Sequence, residues 1–181
     1  MSRNLLRVIV LIVVLSISLF RFLKKDEPAG LALGRFDFEK GVTLPGTPEW
    51  VFDQATGDIS GWWDHSFSEN PARLYIEPRP GGGFYELFDD SGDGVLHATV
   101  IAAQRGKLLR FDGPLGFSGK ALQLVCTYTF APLGSDSTAM TLTVHGAGEM
   151  EAGTPDLIEK VWHHFLFERF QPYVERRAGA L

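Results

Sequence analysis

An acid and a histidine stand next to each other in the stretch SGWWDHSF, residues Ser60–Phe67, directly after two tryptophans. A carboxylate that orients an imidazole is the arrangement from which many enzymes build a general base. Asp64 and His65 cannot form it alone, because neighbouring residues project about 100° apart on a helix and to opposite faces on a strand. A catalytic pair would need a third group from elsewhere in the chain. We therefore expect one tryptophan to fill the core, with Asp64 and His65 capping or solvating a helix end.

Glu86 is the other carboxylate whose position suits chemistry. It alternates with Phe84 and Phe88 in a predicted strand, so its side chain shares a face with those two rings. If that face is the interior, burial would raise the pKa of Glu86 and permit acid–base catalysis or a hydrogen bond to a ligand hydroxyl. If Tyr85 and Leu87 face inward instead, Glu86 is exposed. The alternation leaves both possibilities open.

Three other motifs resemble metal or phosphate sites, but each lacks a necessary part. The turn Asp89–Gly94 has the acidic spacing of a calcium loop, yet Val100 stands where such loops need a bidentate glutamate. The glycines Gly81–Gly83 precede a strand, so no helix N-terminus is available for a phosphate. His163 and His164 are adjacent and point in directions too different to share one zinc ion. The sequence therefore predicts no metal site and no cofactor.

The remaining candidate side chains favour structural roles. His97 and His145 lie on the alternately polar faces of their predicted strands, and we expect both to face solvent. Cys126 alternates with apolar residues, which is typical of a buried small side chain and not of a reactive thiol. The sequence contains no serine nucleophile elbow and no dinucleotide fingerprint. An enzyme is therefore the less favoured class of protein, with Glu86 as its catalytic candidate.

The composition indicates one globular domain preceded by a separate segment. The chain has 181 residues, 45% of them hydrophobic, which suffices for one well-buried core and is short for two. The net charge is −5, and five of the 17 basic side chains lie in residues 1–27, so the remainder is more acidic still. Such a body repels a phosphate backbone, and a nucleic acid is not expected as a partner. The composition gives no prediction of oligomeric state.

Residues 1–23 resemble a membrane or export segment. Val8–Phe20 is a continuous apolar run of the length found in signal-peptide cores. Extended to residues 5–23, it would span a bilayer if Arg7 and Arg21 reach the two interfaces. An uncleaved anchor, a cleaved signal and a misplaced start codon all stay open. The first two place the body outside the cytoplasm or on a membrane surface, after a linker at residues 24–35.

Alternating apolar residues predict a first strand at Phe36–Leu44. Thr47 and Pro48 then start a short helix, and Asp58 caps a second short helix that carries the two tryptophans. Short turns rich in glycine join the strands that follow, which favours antiparallel hairpins. Six further strands are predicted: Leu74–Glu77, Phe84–Phe88, Val95–Ala102, Leu108–Asp112, Ala121–Phe130 and Thr138–Gly146.

A long amphipathic helix closes the chain. Thr154 is its predicted N-cap, Pro155 occupies its first turn, and apolar residues form a broad stripe along it. Pro172 should kink or end this helix near Phe170, because proline cannot donate the next backbone hydrogen bond. The predicted domain covers residues 36–177, with a short tail at 178–181.

This order of elements resembles the START-like superfamily, also called SRPBCC. The branch that it resembles most contains the polyketide cyclase/dehydrase and activator-of-Hsp-ATPase-like proteins. Three stretches carry the resemblance over residues 36–175: LPGTPEWVFDQATGDISGWW, IEPRPGGGFYELF and LIEKVWHHFLFERFQPYVE. Each motif alone is common, whereas their order and spacing together are specific.

The resemblance implies an α+β helix-grip fold, in which a curved antiparallel sheet wraps around a long C-terminal helix and two short helices follow the first strand. It also implies a cavity between helix and sheet for a hydrophobic small molecule or lipid, unless aromatic side chains fill that space. The ligand-binding residues would be Trp62, Trp63, Phe84, Glu86, Tyr128, Trp162 and Phe165. Two alternatives stay open: a cyclase or hydratase that uses Glu86 or a histidine, and a protein-interaction module like the Hsp-ATPase activators.

Overall fold

The computed structural model describes residues 30–180, and its compact body begins at Ala32. The first strand also begins at Ala32, so residues 32–35 belong to the sheet and not to the predicted linker. The predicted N-terminal anchor or signal, residues 1–23, lies outside the described residues. Between residues 30 and 180, no helix is both long enough and apolar enough to cross a membrane.

Eight strands form one curved antiparallel sheet with the spatial order β1-β8-β7-β6-β5-β4-β3-β2. The strands are β1 Ala32–Pro45, β2 Gly57–Asp58, β3 Arg73–Ile76, β4 Gly83–Leu87, β5 Gly94–Gln104, β6 Leu108–Gly113, β7 Leu122–Pro132 and β8 Ser137–Met150. All neighbours from β2 to β8 are joined in chain order, and β1 returns to pair with β8 along its whole length. The seven strands predicted from sequence are confirmed, with ends that differ by a few residues.

One face of this sheet is buried and the other faces solvent. On β8, Met140, Leu142 and Val144 are buried while the residues between them are half-buried or exposed. This two-residue period is the one that the sequence predicts for an antiparallel sheet with a single covered face.

Helix α1, Pro48–Gln54, follows β1 and starts as predicted. The backbone N–H of Trp50 donates to Oγ1 of Thr47 at 3.3 Å, which caps the helix. Val51 and Phe52 are buried and anchor the helix against the sheet.

The predicted second short helix, carrying the two tryptophans, does not form. Gly57 and Asp58 instead make strand β2, which pairs with β3. Asp58 Oδ1 accepts hydrogen bonds from the backbone N–H and the hydroxyl of Ser60, at 3.0 and 2.7 Å. This local turn competes with helix formation, and only one turn follows, in which the N–H groups of Trp62 and Trp63 donate to the carbonyl of Ile59.

The C-terminal helix runs over 25 residues in three hydrogen-bonding patterns. They are helix α2, Thr154–His163, a π-helical segment, His164–Phe170, and helix α3, Gln171–Ala178. Of the predicted kink or end near Phe170, the end does not occur, because the helix continues to Ala178, but its hydrogen-bond pattern changes there. The N–H of Gln171 reaches back five residues to the carbonyl of Leu166. Pro172 thus lies in the first turn of α3, where its missing N–H is tolerated.

The core lies between this helix and the covered face of the sheet. The Trp162 ring of α2 lies 6.4 Å from Phe111 of β6 and 6.1 Å from Tyr128 of β7. Phe170 of the π-helical segment lies 4.8 Å from Trp62. A long helix held against a curved antiparallel sheet confirms the predicted α+β helix-grip fold.

Candidate ligand-binding cavity

A cavity of about 530 Å³ lies at one end of the interface between helix and sheet. Its walls come from helix α2, from residues 63–67 after β2, and from a short 3-10 turn, Leu115–Phe117, between β6 and β7. Phe67 and Leu157 both line it and are 49% and 53% exposed, so the lining reaches solvent at these two residues. Apolar and aromatic side chains make up most of the lining, with His65, Ser66 and His97 as its polar members.

Trp63 forms one wall of this cavity. Its ring stacks on Phe165 at 3.8 Å and meets the edge of Phe84 at 4.9 Å and of Trp162 at 5.8 Å. These three contacts hold the indole in one orientation, with the remaining side towards the cavity.

The neighbouring Trp62 contacts Trp63, with 5.5 Å between the ring centroids, but borders a different space. Its Nε1 donates to the carbonyl of Gln54 at 3.2 Å, and its ring borders an apolar space of only about 10 Å³. Tyr128 and Met140 line the same space, which is no larger than one water molecule needs. This part of the interface is therefore filled by its own side chains.

The seven predicted ligand-binding residues thus divide into three groups. Trp63, Trp162 and Phe165 line the large cavity. Trp62 and Tyr128 border only the small space, while Phe84 and Glu86 are buried behind the lining.

His97 lines the cavity, so the prediction that it faces solvent is wrong. Leu96 pairs with Tyr85 and Ala98 pairs with Phe84, which leaves His97 as the extra residue of a β-bulge in β5. The bulge breaks the alternation, so His97 and Ala98 are both buried although they are adjacent. An inserted residue leaves no distinct pattern in the sequence, so the alternation alone could not show that His97 faces inward.

Glu86 is fully buried and points inward with Phe84. Its carboxylate accepts hydrogen bonds from the backbone N–H groups of Phe67 at 2.9 Å and Ser68 at 2.8 Å, and it lies 3.0 Å from Nε2 of His97. Burial acts to raise the pKa of Glu86, but these hydrogen bonds outweigh it, and the pKa lies below its ordinary value. The predicted upward shift is therefore wrong, because the carboxylate has three donors.

The Glu86–His97 pair connects the two rims of the cavity. On one side Glu86 holds residues 67–68, and on the other Nδ1 of His97 lies 3.5 Å from the carbonyl of Leu115. Leu115 has a φ of +49°, a conformation in which non-glycine residues are strained. A bulged strand thus positions one polar pair that reaches both the tryptophan loop and the 3-10 turn.

A second polar cluster lies at the rim, where Asp64 pairs with His164 and not with its neighbour His65. Nε2 of His164 is 3.0 Å from both carboxylate oxygens of Asp64, and Nδ1 is 2.9 Å from Glu168. Glu168 and Asp64 raise the pKa of His164, and partial burial opposes them. Arg169 Nε lies 3.2 Å from Asp64 Oδ2. His164 is thus the third group that an Asp64–His65 pair would have required, and it lies 100 residues from Asp64 in the sequence.

Other predicted roles agree with the structure. Cys126 is buried, and burial raises the pKa of its thiol. His145 is exposed on β8. The acidic stretch Asp89–Gly94 forms the connection between β4 and β5, where Asp89 accepts a hydrogen bond from the backbone N–H of Ser91 at 2.8 Å.

Known structures share this fold at low sequence identity. No protein-family model and no curated protein matches the chain. Ara h 8.0201 superposes with a TM-score of 0.58 at 15% identity, over 82% of this chain and all of the other. A Staphylococcus aureus protein of unknown function gives 0.56 at 13% identity, over 81% of this chain and 98% of its own. A Mesorhizobium loti protein gives 0.54 at 19%, over 78% and 98%. These likenesses show the helix-grip fold and do not assign the chain to a family.

Proposed function

We propose that this protein binds an apolar or amphipathic small molecule, or a lipid, in the 530 Å³ cavity. The cavity itself is the observation that carries the proposal. Its volume lies within the range of about 300–1,000 Å³ that is typical of ligand sites in proteins. The lining is mainly apolar, with a few polar groups that can fix the orientation of a ligand, and exposed side chains mark an entrance.

Burial of apolar surface would supply the binding energy. Covering about 200 Å² of apolar ligand surface contributes roughly 5 kcal/mol, before the loss of translational freedom is subtracted. Trp63 and Phe165 offer rigid aromatic surfaces, which lose little side-chain entropy on binding. His65 and Ser66 lie among the lining residues, where they can contact the polar end of an amphipathic ligand.

A cavity-filling variant tests this proposal. Val161 is half-buried and lines the cavity, whereas Val125 is half-buried on the opposite face of the sheet. The compact body Ala32–Leu181, which lacks the apolar run Val8–Phe20 that would itself bind lipid, is compared with its variants Val161→Trp and Val125→Trp. All three are incubated with a lipid extract and analysed by native mass spectrometry and thermal unfolding. We expect bound lipid and a raised melting temperature in the wild type and in Val125→Trp, and neither in Val161→Trp. Equal binding by both variants would place the ligand elsewhere, and no binding by the wild type would refute the proposal.

A second candidate is an enzyme of the cyclase or hydratase kind, with His97 as the base. The Glu86–His97 pair in the cavity wall supports it, since a carboxylate that accepts the Nε2 proton leaves Nδ1 unprotonated in the neutral imidazole. To act as a base, Nδ1 would turn from the carbonyl of Leu115, 3.5 Å away, towards the ligand. His97 would take a proton from carbon next to a ligand carbonyl and return it to the product. Exchange of the α-protons of 2-tetralone in D₂O measures this step. We expect exchange to be lost in His97→Gln and kept in His145→Gln; equal rates would exclude the enzyme.

We also propose that residues 1–23 tether the body to a membrane or direct its export. The apolar run Val8–Phe20 with its flanking arginines supports this. Membrane fractionation of the full chain, compared with a variant that carries Val13→Arg and Val14→Arg, tests it. Equal distribution of the two between membrane and soluble fractions would contradict the tether.

A further inference from the structure

Three potential metal ligands meet at the rim of the cavity from two distant parts of the chain. Asp64 and His65 follow β2, and His164 is the first residue of the π-helical segment. One ligand atom from each lies within 4.8 Å of the other two. The side chains of Asp64 and His164 are about one third exposed, so a hydrated ion can reach them.

Two of these side chains already have the outer partners that metal ligands usually have. Glu168 lies 2.9 Å from Nδ1 of His164, which leaves Nε2 for an ion. Arg169 lies 3.2 Å from Oδ2 of Asp64, which leaves Oδ1. A carboxylate behind a ligating histidine, and a hydrogen bond to a ligating carboxylate, are the common arrangement around bound zinc.

The facing atoms of His164 and Asp64 also have suitable spacing. Nε2 of His164 and Oδ1 of Asp64 form a hydrogen bond of 3.0 Å, which a bound ion would replace. Zinc bonds of about 2.0–2.2 Å in a tetrahedron separate adjacent ligand atoms by roughly 3.3 Å. The third ligand, His65, is exposed and its ring lies 5.4 Å from that of His164. One ring nitrogen of His65 lies within 4.8 Å of the other two ligand atoms, so a closer approach of this exposed side chain completes the set.

The ligand chemistry selects a transition metal. Two imidazoles and one carboxylate suit zinc, whereas calcium and magnesium prefer sites made of oxygen atoms alone. The carboxylates of Asp64 and Glu168 against the single guanidinium of Arg169 give a net negative surrounding for a cation when the imidazoles are neutral. Three protein ligands leave at least one coordination position for water or another ligand.

We propose that Asp64, His65 and His164 bind one divalent transition-metal ion, zinc by ligand chemistry, at the rim of the cavity. This proposal does not rest on the proposed binding of an apolar molecule, because Asp64 and His164 lie outside the cavity lining and only His65 belongs to it.

Titration of the purified full chain with Zn²⁺ against a chromophoric chelator tests the proposal, and Co²⁺ reports the geometry by its visible absorption. We expect one ion per chain. The variants Asp64→Asn, His65→Ala and His164→Gln should each weaken zinc binding by at least about tenfold, and Glu168→Gln by about tenfold, as loss of an outer partner does elsewhere.

The controls are His145→Gln and His163→Gln, which remove exposed histidines outside the set. We expect them to bind zinc within about twofold of the wild type, in contrast to the tenfold loss typical of a removed partner. His65→Ala is the decisive variant because that side chain is exposed and its loss leaves the core intact. Wild-type affinity weaker than about 1 mM, a weak-complex range, or equal affinity of His65→Ala and the controls would overturn the proposal.

Discussion

The two halves of the interface between helix and sheet are built from the same kinds of residue, yet one is filled and the other open. Around Trp62 and Tyr128 the side chains leave about 10 Å³, whereas beyond Trp63 and Phe165 they leave about 530 Å³. Both halves contain several aromatic side chains, so aromatic content does not determine which half is filled and which is open. The open half has the bulge at His97 and the strained 3-10 turn at Leu115, which shape its walls by backbone geometry and a polar pair.

Trp62→Ala should give the largest effect and tests the filled half. The ring is almost fully buried and packs on Phe170 with a hydrogen bond to Gln54. We expect the free energy of unfolding to fall by about 3–5 kcal/mol, the range for a buried tryptophan replaced by alanine. Urea denaturation measures it. A loss smaller than that of Trp63→Ala would show that the two halves are not divided as described.

Trp63→Ala should give a smaller loss of stability and a larger loss of binding. Because one side of the indole borders the cavity, we expect a destabilisation of about 2–3 kcal/mol, below the usual range. Removal of the ring takes away roughly 50 Å² of apolar ligand contact, or about tenfold in affinity. Urea denaturation and lipid binding are measured on the same sample. Equal behaviour of the two tryptophan variants would refute the idea that Trp63 alone faces the ligand.

Glu86→Gln tests the polar pair that holds the open half. Loss of the charged acceptor should lower the free energy of unfolding by about 1.5–3 kcal/mol at pH 7. Since the pKa of Glu86 is lower folded than unfolded, its contribution is present above the unfolded pKa of about 4.3 and lost as pH falls through the folded value. Denaturation from pH 7 to pH 3 should therefore show a smaller difference between variant and wild type at the acid end. The exposed Glu149→Gln serves as control.

Leu157→Ala should have the smallest effect on stability and tests the entrance. Leu157 is 53% exposed and lines the cavity, while Leu133 is 48% exposed after β7 and does not line it. We expect both alanine variants to change the free energy of unfolding by less than about 0.5 kcal/mol. Only Leu157→Ala should weaken lipid binding. Equal lipid affinities of the two variants would show that the entrance does not lie at α2.

The sheet was predictable because most of its strands keep a strict alternation, as β7 and β8 do. The bulge at His97 was not, since one inserted residue changes which side chains face inward without changing composition. The second short helix was predicted from Asp58 as a cap, but the same side chain stabilises a local turn with Ser60. An aspartate at this position is therefore typical both of a helix N-cap and of a local turn, and the sequence does not distinguish the two.

The site was predictable in part. The tryptophan pair indicated where the cavity wall lies, but which ring faces the cavity depends on contacts with Phe165 and Phe170 far along the chain. The cluster at the rim could not be predicted, because Asp64 and His164 are 100 residues apart. The local sequence around Asp64 gives no indication of His164, and the sequence around His164 gives none of Asp64.

The π-helical segment explains how the C-terminal helix keeps one face on the sheet. Along the whole C-terminal helix, one row of buried residues recurs at every fourth position: Ile158, Trp162, Leu166, Phe170 and Val174. In a regular helix of 3.6 residues per turn, each such step rotates by about 40°, so the row would wind off the sheet within a few turns. The wider turns of residues 164–170 reverse this drift. A regular α-helix of the same length would instead place Phe170 and Val174 about 120° and about 160° around the helix from Ile158, and so turn both towards solvent.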